Sequence, residues 1–101
     1  MSVPVRLAKR ALREAVMAFD WWKENRPLAP TLFADEYRAA VQLLIEVPEA
    51  GVVSPSHPGK NIRRLLLRGT KYHLYYRYDA AKPELIILCV WNAIGGKPPK
   101  I

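Results

Sequence analysis

The chain has 101 residues, half of them apolar and a quarter charged, which gives room for one domain with one core and excludes a disordered tail. Its formal charge is +7, and the excess falls entirely after residue 58, where nine Lys/Arg face only Asp79 and Glu84. Such asymmetry points to a polyanionic partner, either nucleic acid or an acidic protein segment. Cys89 is the only cysteine, so an intrachain disulfide is excluded, and it reads as a buried strand residue. It lies in the apolar run Leu85–Trp91, too short to span a bilayer. Arg6, Lys9, Arg10 and Arg13 break any apolar signal core near the start. The expectation is a cytoplasmic protein without a membrane partner.

Val3 to Leu7 reads as a short opening strand. From Ala8 the period becomes helical, with Ala8, Leu12, Ala15, Val16, Phe19 and Trp22 spaced by threes and fours as the inward stripe. Trp21, next to Trp22, then has to point partly outward. Asn25-Arg26-Pro27 ends this helix, because proline disfavours a helical residue before it. A second helix opens near Pro30-Thr31, with Asp35 and Glu36 at the positive end of its dipole and Phe33, Tyr37, Ala40, Val41 and Leu44 on one face. Pro48 stops it. The short connection predicts an antiparallel helical hairpin.

Residues 49–61, with Pro55, Pro58 and Gly59, read as a loop in which His57 is solvated. Beyond it the period changes to two. Ile62–Arg68 and Lys71–Tyr78 flank Gly69-Thr70, a Gly-X pair suited to a type II′ hairpin turn. That turn sets Leu67 opposite Tyr72 and Leu65 opposite Leu74, and alternation then sorts the side chains into two faces. One face, with Leu65, Leu67, Tyr72, Leu74, Tyr76 and Tyr78, awaits the helices. The other, with Ile62, Arg64, Leu66, Arg68, Lys71, His73, Tyr75 and Arg77, is basic, aromatic and expected to be open. Glu84–Trp91 supplies a central strand, apolar nearly throughout. Residues 92–101 read as an extended tail of a single domain spanning residues 1–101. The fold class is α+β: a strand, a helical hairpin, then a three-stranded antiparallel meander with the helices on one side.

This order resembles the RelE/ParE toxins of type II toxin–antitoxin systems. The likeness is carried by Ile62-Arg63-Arg64-Leu65-Leu66-Leu67-Arg68-Gly69-Thr70-Lys71-Tyr72-His73-Leu74-Tyr75-Tyr76-Arg77-Tyr78 and by the closing Val90-Trp91-Asn92-Ala93-Ile94-Gly95-Gly96-Lys97-Pro98. It covers nearly the whole chain and is nearest to the ParE-like branch.

The resemblance implies one of two activities. RelE-like members cleave mRNA on the ribosome, using basic residues and an acid/base side chain near the C-terminus. ParE-like members poison DNA gyrase without established bond-cleaving chemistry. Both are neutralised by an antitoxin, so a hetero-oligomer with a ParD-like antitoxin is expected, with no cofactor and no metal. Target contact is expected at Arg64, Arg68, Lys71, His73, Arg77, Asn92 and Lys97, and antitoxin contact at Trp21, Arg64 and Arg77. The last strand and the tail carry no His or Tyr, which leaves His73 with Tyr75 as the only pair for RNA cleavage. The ParE-like reading is therefore preferred. An RNase of the RelE type and a non-toxic homologue that only binds its antitoxin are the alternatives.

Overall fold

A computed structural model describes residues 2–101. The elements are β1 (Val5–Leu7), α1 (Lys9–Asn25), α2 (Leu32–Glu46), β2 (Val52–Val53), β3 (Arg63–Leu67), β4 (Tyr72–Asp79) and β5 (Glu84–Asn92). The sheet order is β1-β5-β4-β3-β2. β1 runs parallel to β5, and the remaining pairs are antiparallel. Both helices pack on one face of this mixed sheet, giving the expected α+β architecture.

Helix α1 approaches the sheet on alanine. Ala11, Ala15 and Ala18 are buried against it, whereas Leu12 and Val16 are 56% and 48% exposed. The inward stripe therefore differs from the one read off the large apolar residues. A small-residue face lets the helix axis lie close over β5, and that choice rotates the larger neighbours, about 100° away per residue, toward solvent. Ala15 and Trp22 keep their expected inward position. Helix α2 follows its periodicity: Phe33, Ala40 and Leu44 are buried, and Tyr37 and Val41 are half-buried beside them. Removing a side chain such as Leu44 from water contributes about 1.5–3 kcal/mol. Thr31 and Asp35 open the helix, with the Thr31 hydroxyl donating to the Asp35 carboxylate at 3.2 Å.

The hairpin register is the expected one, with Leu67 opposite Tyr72, Leu65 opposite Leu74 and Arg64 opposite Tyr75. Its turn is not type II′. Residues 68–71 form a four-residue loop closed by the Lys71 N–H on the Leu67 carbonyl at 2.8 Å, and the left-handed residue is Lys71 (φ 63°), not Gly69. The carboxylate of Glu36 on α2 supplies the reason. It takes the Gly69 and Thr70 N–H groups at 2.6 and 2.9 Å, which a tight two-residue turn would not present together.

Between Tyr75 and Tyr76 the β4–β5 register shifts, so Tyr75 faces Cys89 and Tyr76 faces Ile87. The bulge turns Val90 toward the helices and leaves Leu88, Cys89 and Trp91 packed in a second apolar cluster with Ile62 and Tyr75. Two further expectations are corrected here. Residues 49–61 are not all loop, because Val52 and Val53 pair with Arg64 and Arg63 as β2. The tail is not free, because it folds back over the second cluster, burying Pro99 and packing Ile101 against it.

Candidate functional site

The basic face of the sheet carries the expected residues, but they are not equally available. On β4 the side chains of His73, Tyr75 and Arg77 follow one another along this face. His73 and Arg77 are half-buried, while Tyr75 is only 2% exposed. Tyr75 lies edge-on to His73 and to His57, with ring centroids 5.7 and 5.5 Å away. The expected pairing of His73 with an accessible Tyr75 is thus corrected: the tail and the 49–61 segment close over the tyrosine.

His57 is the second correction. It is buried, not solvated, with Nδ1 2.8 Å from the Ser54 hydroxyl and Nε2 2.7 Å from the Pro99 carbonyl. A carbonyl only accepts, so Nε2 carries the hydrogen and, in the neutral ring, Nδ1 accepts from Ser54. Three further donors hold the tail by its backbone. Trp91 Nε1 donates to the Lys97 carbonyl at 2.8 Å, Arg10 Nη1 to that of Lys100 at 2.7 Å, and Lys60 Nζ to that of Ile101 at 2.6 Å. No composition or spacing signal marked His57 for this role, since its partner lies 42 residues away.

On one side of the tail, Arg64, Arg68 and His73 line a recess of about 580 Å³ between α2 and the β3 edge, together with Leu43, Val52 and Leu66. The His73 imidazole is held below its ordinary range, first by burial and then by the Arg64 guanidinium. At neutral pH it is an uncharged donor–acceptor among cations. Arg68 and Lys71 are exposed in the hairpin loop. Asn92 stands opposite Tyr72 and turns its carboxamide oxygen to the Ile94 N–H at 2.8 Å. The Lys71 carbonyl accepts from Ala93, so Lys71 and Asn92 share one end of the face. On the other side of the tail Arg77 donates to the Lys60 carbonyl at 3.2–3.3 Å. Lys97 is exposed on the tail itself.

Trp21 does not join Arg64 and Arg77. It lies on α1, half exposed, with the Arg26 guanidinium 4.7 Å above its ring, and lines a recess with Glu14, Met17, Tyr72 and Val90. The three residues assigned to antitoxin contact therefore occupy two surfaces. Sequence reading also passed over a larger apolar groove of about 850 Å³ between β1, α1 and α2, lined by Val3, Val5, Leu7, Phe19, Tyr37 and Val41. Phe19 is the one α1 side chain in it, with Tyr37 and Val41 from α2. The β3 edge is open as well: β2 pairs with Arg63 and Arg64, so among the described residues Leu65–Leu67 have no strand on that side, and Leu66 is 40% exposed. Among the described residues no group of His, Cys, Asp or Glu is placed to hold a metal ion, and no helix is long and apolar enough to cross a membrane.

A helical hairpin packed on one face of a mixed five-stranded sheet is a fold this chain shares with solved RelE/ParE toxins of type II toxin–antitoxin systems. A chain of the chromosomal ParDE system from P. aeruginosa superposes with a TM-score of 0.69 at 16% identity, covering 90% of this chain and 96% of the other. A mutant of the E. coli toxin RelE in the free state gives a TM-score of 0.64 at 21% identity over 95% of this chain and 88% of its own. The E. coli DinJ–YafQ toxin–antitoxin complex contributes a chain at 0.62 and 12% identity, over 95% of this chain and 100% of that one. No protein-family model matches the chain, and no curated protein does.

Proposed function

We propose that this chain is the toxin of a type II toxin–antitoxin pair, that it arrests growth by binding DNA gyrase, and that a ParD-like antitoxin neutralises it. The single observation that favours contact over cleavage is the burial of Tyr75 beside His73. RNA cleavage without a metal needs one group to take the 2′-hydroxyl proton and another to protonate the leaving oxygen. With Tyr75 covered, the face presents His73 without its phenol partner, beside Arg64, Arg68, Lys71 and Arg77, which bind phosphate or carboxylate. The antitoxin reading is supported by the apolar recess at the open β3 edge, where Arg64 and Arg68 stand beside Leu43 and Leu66. An acidic segment could add a strand there and lay apolar side chains into the recess.

The ribosome-dependent RNase is the second reading, and one observation favours it. A histidine held below its ordinary range is unprotonated at neutral pH, the state a general base requires. Inducing the protein alone in a bacterial host, with DNA supercoiling and mRNA integrity assayed in parallel, separates the two. Gyrase inhibition that survives His73→Gln and weakens in the Arg64→Glu, Arg77→Glu double variant is the expected result. Codon-positioned mRNA cuts that vanish in His73→Gln would establish the RNase, and an unaffected host would leave the antitoxin-binding homologue.

A further inference from the structure

We propose that residues 97–101 are a displaceable strap, hinged at Gly95 and Gly96, which shuts the centre of the basic face. Opening would join Arg64 and His73 with Arg77 around Tyr75 in one strip that takes single-stranded nucleic acid. The inference rests on the reading that this face meets the target.

The hinge is free of packing. Gly95 and Gly96 both have positive φ (104° and 75°), and a Cβ placed on either would meet nothing within 4 Å. Neither residue is braced by a neighbour, so the chain on their far side can swing without disturbing the core. The strap is held largely through its backbone. Arg10, Lys60, Trp91 and His57 each donate to a strap carbonyl, and only the His57–Pro99 bond is buried. Exposed bonds to carbonyls exchange readily with water, which makes His57, braced by Ser54, the clasp. Outside that clasp, apolar contact is chiefly Pro99 and Ile101 over a small cluster.

What the strap covers matters chemically. In the closed form Tyr75 is shielded and divides the cations of β3 and β4 into two groups. In the open form His57 still lies edge-on to the ring, and the side that the tail covered becomes a stacking platform flanked by arginines, the combination that binds unpaired bases together with their phosphates. Lys97 and Lys100 would leave with the strap, so electrostatics alone would predict weaker binding on opening; the gate predicts the reverse.

The test compares the full chain with Ser54→Ala and His57→Ala. Ser54→Ala removes only the brace and is the variant least able to disturb folding. Hydrogen exchange of the Trp91 indole N–H, which is held by the Lys97 carbonyl, reports strap opening; the amides of Leu74 and Ile87 report the core. Fluorescence anisotropy of a labelled oligo(dT) reports binding. The expected result is indole exchange faster by about tenfold, unchanged core exchange, and affinity for oligo(dT) higher by about threefold or more. Core amides accelerating together with the indole would overturn the strap as a separate unit. Faster indole exchange with weaker, unchanged or absent oligo(dT) binding would overturn the gate. The underlying reading fails in a different place: the Arg64→Glu, Arg77→Glu variant would then inhibit gyrase as well as the parent does.

Discussion

Glu36 holds Thr70 twice through one oxygen: its Oε1 accepts the Thr70 N–H at 2.9 Å and the Thr70 hydroxyl at 2.8 Å, while Oε2 takes the Gly69 N–H at 2.6 Å. One carboxylate on α2 therefore fixes the β3–β4 loop and sets the helical layer against the sheet. Replacing it with alanine strands two loop amides and a hydroxyl. Glu36→Ala is expected to lower unfolding free energy by about 1–3 kcal/mol in urea titration. Gln should recover part of the loss, since its carbonyl oxygen can still take both Thr70 donors while its NH2 group cannot accept from Gly69.

Gly51 has no room for a side chain. A Cβ there would lie 2.7 Å from the Arg64 carbonyl and 2.8 Å from the Tyr76 ring and hydroxyl, the same hydroxyl that accepts the Gly51 N–H at 2.9 Å. Gly51→Ala should displace β2 from Arg64 and cost about 1–3 kcal/mol by overpacking. Thermal unfolding measures the loss, and loss of the Val52 and Val53 amide protection locates it.

The position of His73 makes a titration experiment decisive. Burial and the Arg64 guanidinium together hold its pKa below 6.5, so the unfolded chain binds the proton first as pH falls. Stability should therefore decline as pH drops below 6.5. Arg64→Met removes one of the two causes: by NMR the His73 midpoint should rise toward 6.5 but stay below it, because burial remains. The acid-side slope of stability should flatten accordingly.

At the opposite end of the pH scale Cys89 has the larger effect. Burial, and then the Glu14 carboxylate, push its thiol from 9.0 up to about 12. In the folded chain it should resist alkylation at pH 8, where an unfolded thiol reacts. Above pH 9 the unfolded state releases this proton and the folded state keeps it, so stability is lost between pH 9 and 12. Cys89→Ala is expected to be less stable at neutral pH through its small cavity, with the gap to the parent narrowing across that window. Urea titrations at several pH values follow the difference.

Strand register was legible because alternation over Leu65, Leu67, Leu74 and Tyr76 admits one inward set, and a slip by one would bury Arg64 and His73. The turn that makes this register was not legible, since the carboxylate defining it sits on α2, far off in sequence. Helix α1 shows the limit of apolar periodicity: Ala11, Ala15 and Ala18 compete with Leu12, Val16 and Phe19 for the inward side, and only the distance to β5 decides. The basic residues of the candidate site were visible as a pattern of charges. Their division by the tail was not, because Pro99 and Ile101 show no periodicity and their contacts, His57 and Lys60, lie some forty residues earlier.

Pairing of β1 with β5 carries a kinetic consequence. Arg6 on β1 meets Glu84 on β5, 78 residues downstream, at 2.7 Å, and Val5 and Leu7 pair with Leu85 and Ile87. Among the described residues β1 thus has its strand partner some eighty residues downstream, whereas the α1–α2 hairpin can form from local contacts as soon as it emerges. Contacts between such distant segments are slow to form because the long loop between them must close first. During synthesis the helices would wait with their alanine face uncovered, and the basic sheet face would not exist until β5 arrives. A nascent chain therefore presents its helical surface before its sheet exists.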